Sequence, residues 1–210
     1  MNQNVVKMET SKSLTFYEKQ ALSMLHKVIF KQDDSYYQTM LSNHCSPLGL
    51  VTSGGTLANV AALQCARNQS LAAFADVEQE GLYAALHKAG FSDTVVICSS
   101  LAHYSIEKSL GLLGLGKKNI RLIDVDQNQQ MNVDQLHHVL TECQQQHIHV
   151  SAIVGVAGTT ECGSFDPLEK IADLAEAFGV YFHVDAAWGG PLAFSTKYRE
   201  LIAGIERADS

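Results

Sequence analysis

Three short stretches carry side chains whose types and neighbours suit chemistry on a bound ligand. The first is Ser53-Gly54-Gly55-Thr56. Two glycines ahead of a helical stretch let the backbone turn sharply and come close to a ligand. A helix start also offers unpaired N–H groups and a positive dipole end, which suit a phosphate, and Thr56 adds a hydroxyl. The same residues equally suit a plain tight turn with an N-cap. The stretch is neither GxGxxG nor a P-loop, since no lysine follows. Gly111, Gly114 and Gly116 end a helical pattern and do not supply a dinucleotide fingerprint. The second stretch is Ser99-Ser100-Leu101-Ala102-His103-Tyr104-Ser105. A neutral His103 imidazole can lie flat on an aromatic ligand or handle a proton, or simply hydrogen-bond near a helix start. The third is Asp185, which ends an apolar run and precedes Ala186-Ala187-Trp188-Gly189-Gly190. A carboxylate followed by small residues leaves room for a ligand, and it also suits a helix cap or a loop.

Other candidates are poorer. His137, His138, His147 and His149 fall within thirteen residues, and His147-x-His149 can put two rings on one strand face, as zinc favours. No carboxylate or cysteine completes a ligand spacing, and the segment is very polar, so it reads as a solvated helix and loop with no metal. Ser53 and Ser105 lack the GxSxG setting of a hydrolase nucleophile.

The elements that must position these residues alternate in periodicity. Tyr17 to Phe30 has an apolar face at helical spacing. Gly49-Leu50-Val51-Thr52 is a short apolar run read as a strand, and a helix follows from Thr56 to about Asn68. Asp76 to Ala89 is a predicted helix stopped by Gly90. Thr94 to Cys98 is a buried strand, His103 to Leu113 a helix, and Ile120 to Ile123 a strand. Asn132 caps a helix to about Gln146, and Ser151 to Val156 is a strand. Asp166-Pro167-Leu168-Glu169 has the composition of a capped helix start, with its end at Phe178-Gly179. Val180 to Val184 is a strand ending at Asp185. Five alternations with continuous apolar strands predict an α/β fold, a mostly parallel sheet with helices on both faces. In such sheets ligands sit beyond the C-terminal strand ends, which is where all three stretches fall.

Composition removes several function classes. The 210 residues hold 15 Lys plus Arg against 22 Asp plus Glu, a net charge of −7. With no basic block, a nucleic-acid surface is not expected. Apolar residues at 46% and charged residues at 18% describe a globular chain and not a disordered one. No run approaches the ~18 apolar residues of a membrane span. Met1-Asn2-Gln3-Asn4 does not begin an export signal. Cys45, Cys65, Cys98, Cys143 and Cys162 are odd in number and form no CxxC pair, which fits reduced thiols in a cytoplasm.

Four runs in order are far more specific together than any one: Thr52-Ser53-Gly54-Gly55-Thr56-x-Ala58-Asn59; Ala102-His103-Tyr104-Ser105; Ala157-Gly158-Thr159-Thr160 with Gly163-Ser164-Phe165-Asp166-Pro167; and His183-Val184-Asp185-Ala186-Ala187-Trp188-Gly189-Gly190. They resemble the group II pyridoxal-phosphate-dependent amino-acid decarboxylases, in the glutamate decarboxylase and bacterial aspartate decarboxylase branch. The resemblance runs from about Ser13 to Ser210. It implies the large domain of a fold-type I pyridoxal-phosphate enzyme, here residues 49–210, preceded by a helical segment over residues 1–48. It also implies pyridoxal 5'-phosphate as cofactor, an acidic amino acid (glutamate or aspartate) as substrate, and a homodimer. Position by position, Gly55, Thr56 and Ser210 would contact the cofactor phosphate. His103 would stack on the pyridine ring with Ala187 on its other face. Asp185 would pair with the ring nitrogen, and Thr159 or Thr160 would hydrogen-bond near the phenolic oxygen or the substrate carboxylate. His103 and Asp185 are the expected catalytic residues.

The chain is expected to depart from that pattern in its short N-terminal segment, in lacking the family's small C-terminal domain, and in its lysine. The family's Schiff-base lysine lies about seven residues past the position matching Ser210, and no lysine here matches it. The expectation is therefore a partial large domain, inactive alone, whose truncated sheet leaves an unpaired edge and poor solubility. Two other readings stay open: a different fold-type I enzyme such as a lyase or aminotransferase, and a remnant that only binds cofactor or a partner.

Overall fold

The longest apolar runs become the central strands. In a computed structural model, which describes residues 13–42 and 48–210, β1 (Asp93–Ser99), β2 (Ile120–Ile123), β3 (Ile148–Val156) and β4 (Phe182–Asp185) form one parallel sheet in the order β2-β1-β3-β4. β1 and β3 are central and buried along most of their lengths, as expected for strands covered on both faces. Cys45 lies outside the described residues.

Two compact units divide between Ser53 and Gly54. In the first, α1 (Ser13–Phe30) and α2 (Asp34–Ser42) are helices. Asp33 accepts from Tyr36 N–H at 2.7 Å, closing the start of α2, and His26 shares a hydrogen bond with the Tyr37 hydroxyl at 2.9 Å. The second unit holds α3 (Gly55–Leu71), α4 (Val77–Glu80), α5 (Leu82–Ala89), α6 (Ser105–Leu112), α7 (Val133–Gln145), α8 (Leu168–Phe178) and the sheet. Leu63 and Ala66 of α3 and Ile106 and Leu110 of α6 pack on Val96, Cys98, Ala152 and Val154. Strand alternation turns Val95, Ile97 and Ile153 to the other face, where α7 and α8 pack on β3.

Local chemistry explains the helix ends. Asn132 accepts from Gln135 N–H at 3.0 Å as the N-cap of α7. Gly179, in the left-handed region, stops α8. The predicted helix over Asp76 to Ala89 is instead two helices: Asp76 caps α4, and Gly81 at φ 85° breaks the run before α5. A residue with a Cβ adopts that backbone angle only with strain.

Three further expectations are corrected. Gly49 to Thr52 is not a strand: it has no regular structure, and Leu50 and Val51 are 58% and 68% exposed. Apolarity allows a strand, but a strand also needs a neighbour to take its backbone hydrogen bonds. Asp166 does not cap α8. It is buried and accepts from Met131 N–H and Val156 N–H, each at 2.8 Å. His149 is not solvated, because β3 starts three residues earlier than predicted and carries it inside. There it bonds to Thr94 Oγ1 at 2.9 Å and Ser151 Oγ at 3.3 Å, and burial lowers its pKa to about 4.

Candidate active site

The order of connections places a crevice. β1 leads through α6 to β2 on one side, and β2 leads through α7 to β3 on the other side of β1. The loops leaving β1 and β3 therefore diverge, which opens a gap beyond their C-terminal ends. A cavity of about 240 Å³ lies there, walled by Gly55 and Thr56 of α3, His103 after β1, Gly158 and Thr160 after β3, and Asp185, Ala187 and Trp188 at the end of β4.

Each wall is held by its own local bonds. α3 begins with Leu57 N–H and Ala58 N–H donating to the Gly54 carbonyl, so Gly55 and Thr56 head the helix, where N–H groups have no intrahelical acceptor. A Cβ built on Gly54 or Gly55 meets nothing within 4 Å, so the space over this turn is open. After β3, Gly158 N–H and Thr159 N–H donate to the Ser164 carbonyl, and the Thr159 hydroxyl accepts from Ser164 N–H at 3.0 Å. This closes a tight loop with Thr160 at its rim. After β4, Ala157 N–H donates to the Asp185 carbonyl and Gly189 N–H to the Ala157 carbonyl. The approach at Gly189 is so close that a Cβ would lie 2.4 Å from that carbonyl oxygen.

The polar floor is a connected network. Asp185 Oδ1 accepts from Ala187 N–H at 3.2 Å, and Oδ2 accepts from Asn59 Nδ2 at 2.9 Å. Asn59 Nδ2 also donates to Ser105 Oγ at 2.9 Å, and Ser105 Oγ lies 2.8 Å from His103 Nδ1. On its other side Asn59 Oδ1 meets His183 Nε2 at 3.0 Å. His183 is buried, and burial lowers its pKa.

Six of the eight residues expected at the site line this one cavity: Gly55, Thr56, His103, Thr160, Asp185 and Ala187. The Thr159 hydroxyl faces Ser164 and Cys162 within its own loop. The Ser210 hydroxyl is 2.9 Å from His183 Nδ1, while its backbone runs beside β4, its carbonyl accepting from Val184 N–H. Asn59 and His183 have no role in the reading of residue types and spacing, and Ser105 enters it only as a rejected hydrolase nucleophile. The available signal was that Asn59 lies one turn into α3 from Gly55, and His183 two residues before Asp185 on the same strand face.

Chemically, the arrangement presents open N–H groups for an anion, a fixed carboxylate for a cationic group, and an imidazole and small side chains for a flat ring. That is the outline of a doubly wound α/β domain that binds a phosphorylated aromatic ligand at its switch point. The comparisons agree. Residues 1–210 match the pyridoxal-dependent decarboxylase conserved domain, and the chain belongs to that family. It is 44% identical over its whole length to an aspartate 1-decarboxylase of Aliivibrio fischeri, covering 39% of that protein. It is 36% identical to an L-2,4-diaminobutyrate decarboxylase of Acinetobacter baumannii, over 77% of this chain and 32% of that one. A crystal structure of mouse CSAD superposes on 99% of the chain with a TM-score of 0.83 and 29% identity, covering 39% of that chain. The chain thus spans about two fifths of the length of these relatives.

Proposed function

We propose that this chain forms the cofactor-binding part of a pyridoxal-phosphate-dependent decarboxylase that removes the α-carboxylate of an acidic amino acid, aspartate or glutamate. The carrying observation is the Asp185 carboxylate. Its two oxygens are tied to Ala187 N–H and the Asn59 amide, in the same cavity as His103 and the first turn of α3. The fit to the cofactor is supported by the open space above Gly54 and Gly55 and by a donor set with the right polarity at each end.

In this reading Gly55 and Thr56 bind the phosphate through N–H and hydroxyl groups. Asp185 holds a proton on the ring nitrogen, since a negative charge beside a base favours its cationic form. Pyridoxal phosphate, when bound, supplies a pyridinium ring that takes up the electron pair left as CO₂ departs. His103 and Ala187 keep the ring flat and exclude water from its faces. Thr160, at the cavity rim, orients the departing carboxylate by a hydrogen bond, an effect of positioning. The substrate class is supported by the names of the relatives, an aspartate 1-decarboxylase and acidic amino acid decarboxylases.

The assembly in this reading is a homodimer. It is supported by Leu57, Tyr104 and Trp188, which stand 50%, 64% and 72% exposed around the cavity, more apolar surface than such a site leaves bare. The location is cytoplasmic, supported by the free thiols of Cys65, Cys98, Cys143 and Cys162. Among the described residues no helix is long and apolar enough to cross a membrane.

A second reading, a non-catalytic cofactor- or partner-binding protein, is favoured by one observation: among the described residues, no lysine lines the cavity. One experiment separates them. The complete reading frame that carries this chain is expressed and mixed with pyridoxal phosphate, and visible absorbance and CO₂ release from aspartate and from glutamate are measured. A visible band with CO₂ release from either is expected. A band without release from either acidic amino acid favours the cofactor-binding form of the second reading, and no band refutes the decarboxylase reading.

A further inference from the structure

Asn59 uses every hydrogen-bonding atom of its side chain, and the partners fix which way round the amide lies. It sits on α3, four residues after Gly55, and is 4% exposed. Nδ2 carries two hydrogens, and it has two acceptors, Asp185 Oδ2 and Ser105 Oγ, both at 2.9 Å. Reversing the amide would set its oxygen against the Asp185 carboxylate, two acceptors face to face. Oδ1 is therefore the atom facing His183 Nε2 at 3.0 Å. An amide oxygen only accepts, so His183 Nε2 carries a proton, while Nδ1 faces both the Ser210 hydroxyl at 2.9 Å and the Ser210 carbonyl oxygen at 3.2 Å.

The same logic continues to the other side. Ser105 Oγ accepts from Asn59, which leaves its own hydrogen for His103 Nδ1 at 2.8 Å. Ser105 N–H points at that nitrogen too, at 3.3 Å. His103 Nδ1 is an acceptor twice over, and a neutral ring then carries its proton on Nε2. These contacts join residues 46 to 126 positions apart in the chain, so one amide couples the end of β4 to the start of α6.

We propose that Asn59 is a positioning residue: its amide sets the direction of the Asp185 carboxylate and, through Ser105, the tautomer of His103, so that both groups are aligned as one unit. The consequence for the cofactor rests on the function proposed above; the hydrogen-bond arrangement does not.

The test uses the complete protein carrying this chain, histidine-labelled with nitrogen-15, without and with pyridoxal phosphate. In the cofactor-free protein, nuclear magnetic resonance of the rings is expected to show the His103 proton on Nε2 and a proton on His183 Nε2. Ser105→Ala keeps the Asn59–Asp185 bond and the Ser105 N–H donor to His103 Nδ1 but removes the hydroxyl donor, so the Nδ1–H fraction of His103 should rise while the Nε2–H form persists, with pyridoxal phosphate binding weakened by less than about tenfold. Asn59→Leu should mix the His103 tautomers and weaken binding by about 10- to 100-fold. A merely structural Asn59 would lower the melting temperature and leave the His103 tautomer unchanged. A His103 proton on Nδ1 in the unmutated protein overturns the proposal, and that arm stands even if Asn59→Leu does not fold. Binding within twofold of the unmutated protein in a folded Asn59→Leu overturns the link to Asp185. If the unmutated protein gives no visible band, the functional reading fails, while the ring tautomers still decide this inference.

Discussion

The two ends of the same parallel sheet each bury a histidine among hydrogen-bonding partners, and they do so differently. At the N-terminal end, His149, Thr94 and Ser151 bond to one another, and all three are uncharged. At the C-terminal end, His183 bonds through Asn59 to a carboxylate, and the network continues to an imidazole on a cavity wall. The first cluster satisfies polar groups that strand pairing has buried, which holds structure together. The second keeps a charged oxygen pair fixed where a ligand can reach it, which is the arrangement of a site preorganised for electrostatic work. A buried histidine is therefore not informative alone; what its chain of partners ends on is.

The largest test of that contrast is Asp185→Ala. In the complete enzyme it should lower kcat/KM by roughly 10²- to 10³-fold while the denaturation midpoint stays near the unmutated value. Retained turnover would place Asp185 with the structural cluster. Asp166 offers a middle case. It lies at the cavity end of β3, but its carboxylate accepts from the buried Met131 and Val156 N–H groups, and burial pushes its pKa up while those bonds pull it down. Asp166→Ala leaves two N–H groups without acceptors, at about 1–3 kcal/mol each. Urea denaturation should show a loss of about 2–6 kcal/mol; a loss under about 1 kcal/mol would mean that water or another group satisfies them.

The smallest effect belongs to the N-terminal end and appears in the pH dependence of stability. The His149 pKa is lowered to about 4 in the folded chain, against an ordinary value near 6.5. Between those values the unfolded chain binds a proton that the folded chain does not, so stability falls as pH falls from about 6.5 to about 4. His149 contributes at most about 3 kcal/mol to that fall, and His183, lowered by burial as well, adds in the same direction. His149→Leu should flatten the acid side of a melting-temperature profile and leave turnover unchanged. An unaltered acid slope would show that His149 does not titrate on unfolding.

Much of this was readable in advance, for reasons that differ by element. β2 was readable to the residue because a short run opened and closed by isoleucine between polar residues suits a strand. Asn132 and Gly179 were readable because caps depend on a few neighbouring residues. Leu50 and Val51 misled because apolar character does not reveal whether a partner strand exists. Asp166 misled because a carboxylate before a proline suits a cap, and only the fold brings Met131 N–H closer to it.

For the site, residue type and order were sufficient to collect Gly55, Thr56, His103, Thr160, Asp185 and Ala187, since each follows a strand or opens a helix and that information is local. The linkage among them was not. Asn59 reads as an ordinary polar residue inside a helix, and its partners lie 46, 124 and 126 positions away. The sequence by itself determined which chemical groups stand at the C-terminal strand ends, because strand ends and helix starts are set by short-range patterns. Only the tertiary structure decided which way each group faces and which hydrogen each ring carries, because those follow from hydrogen bonds between elements that meet only when the sheet closes.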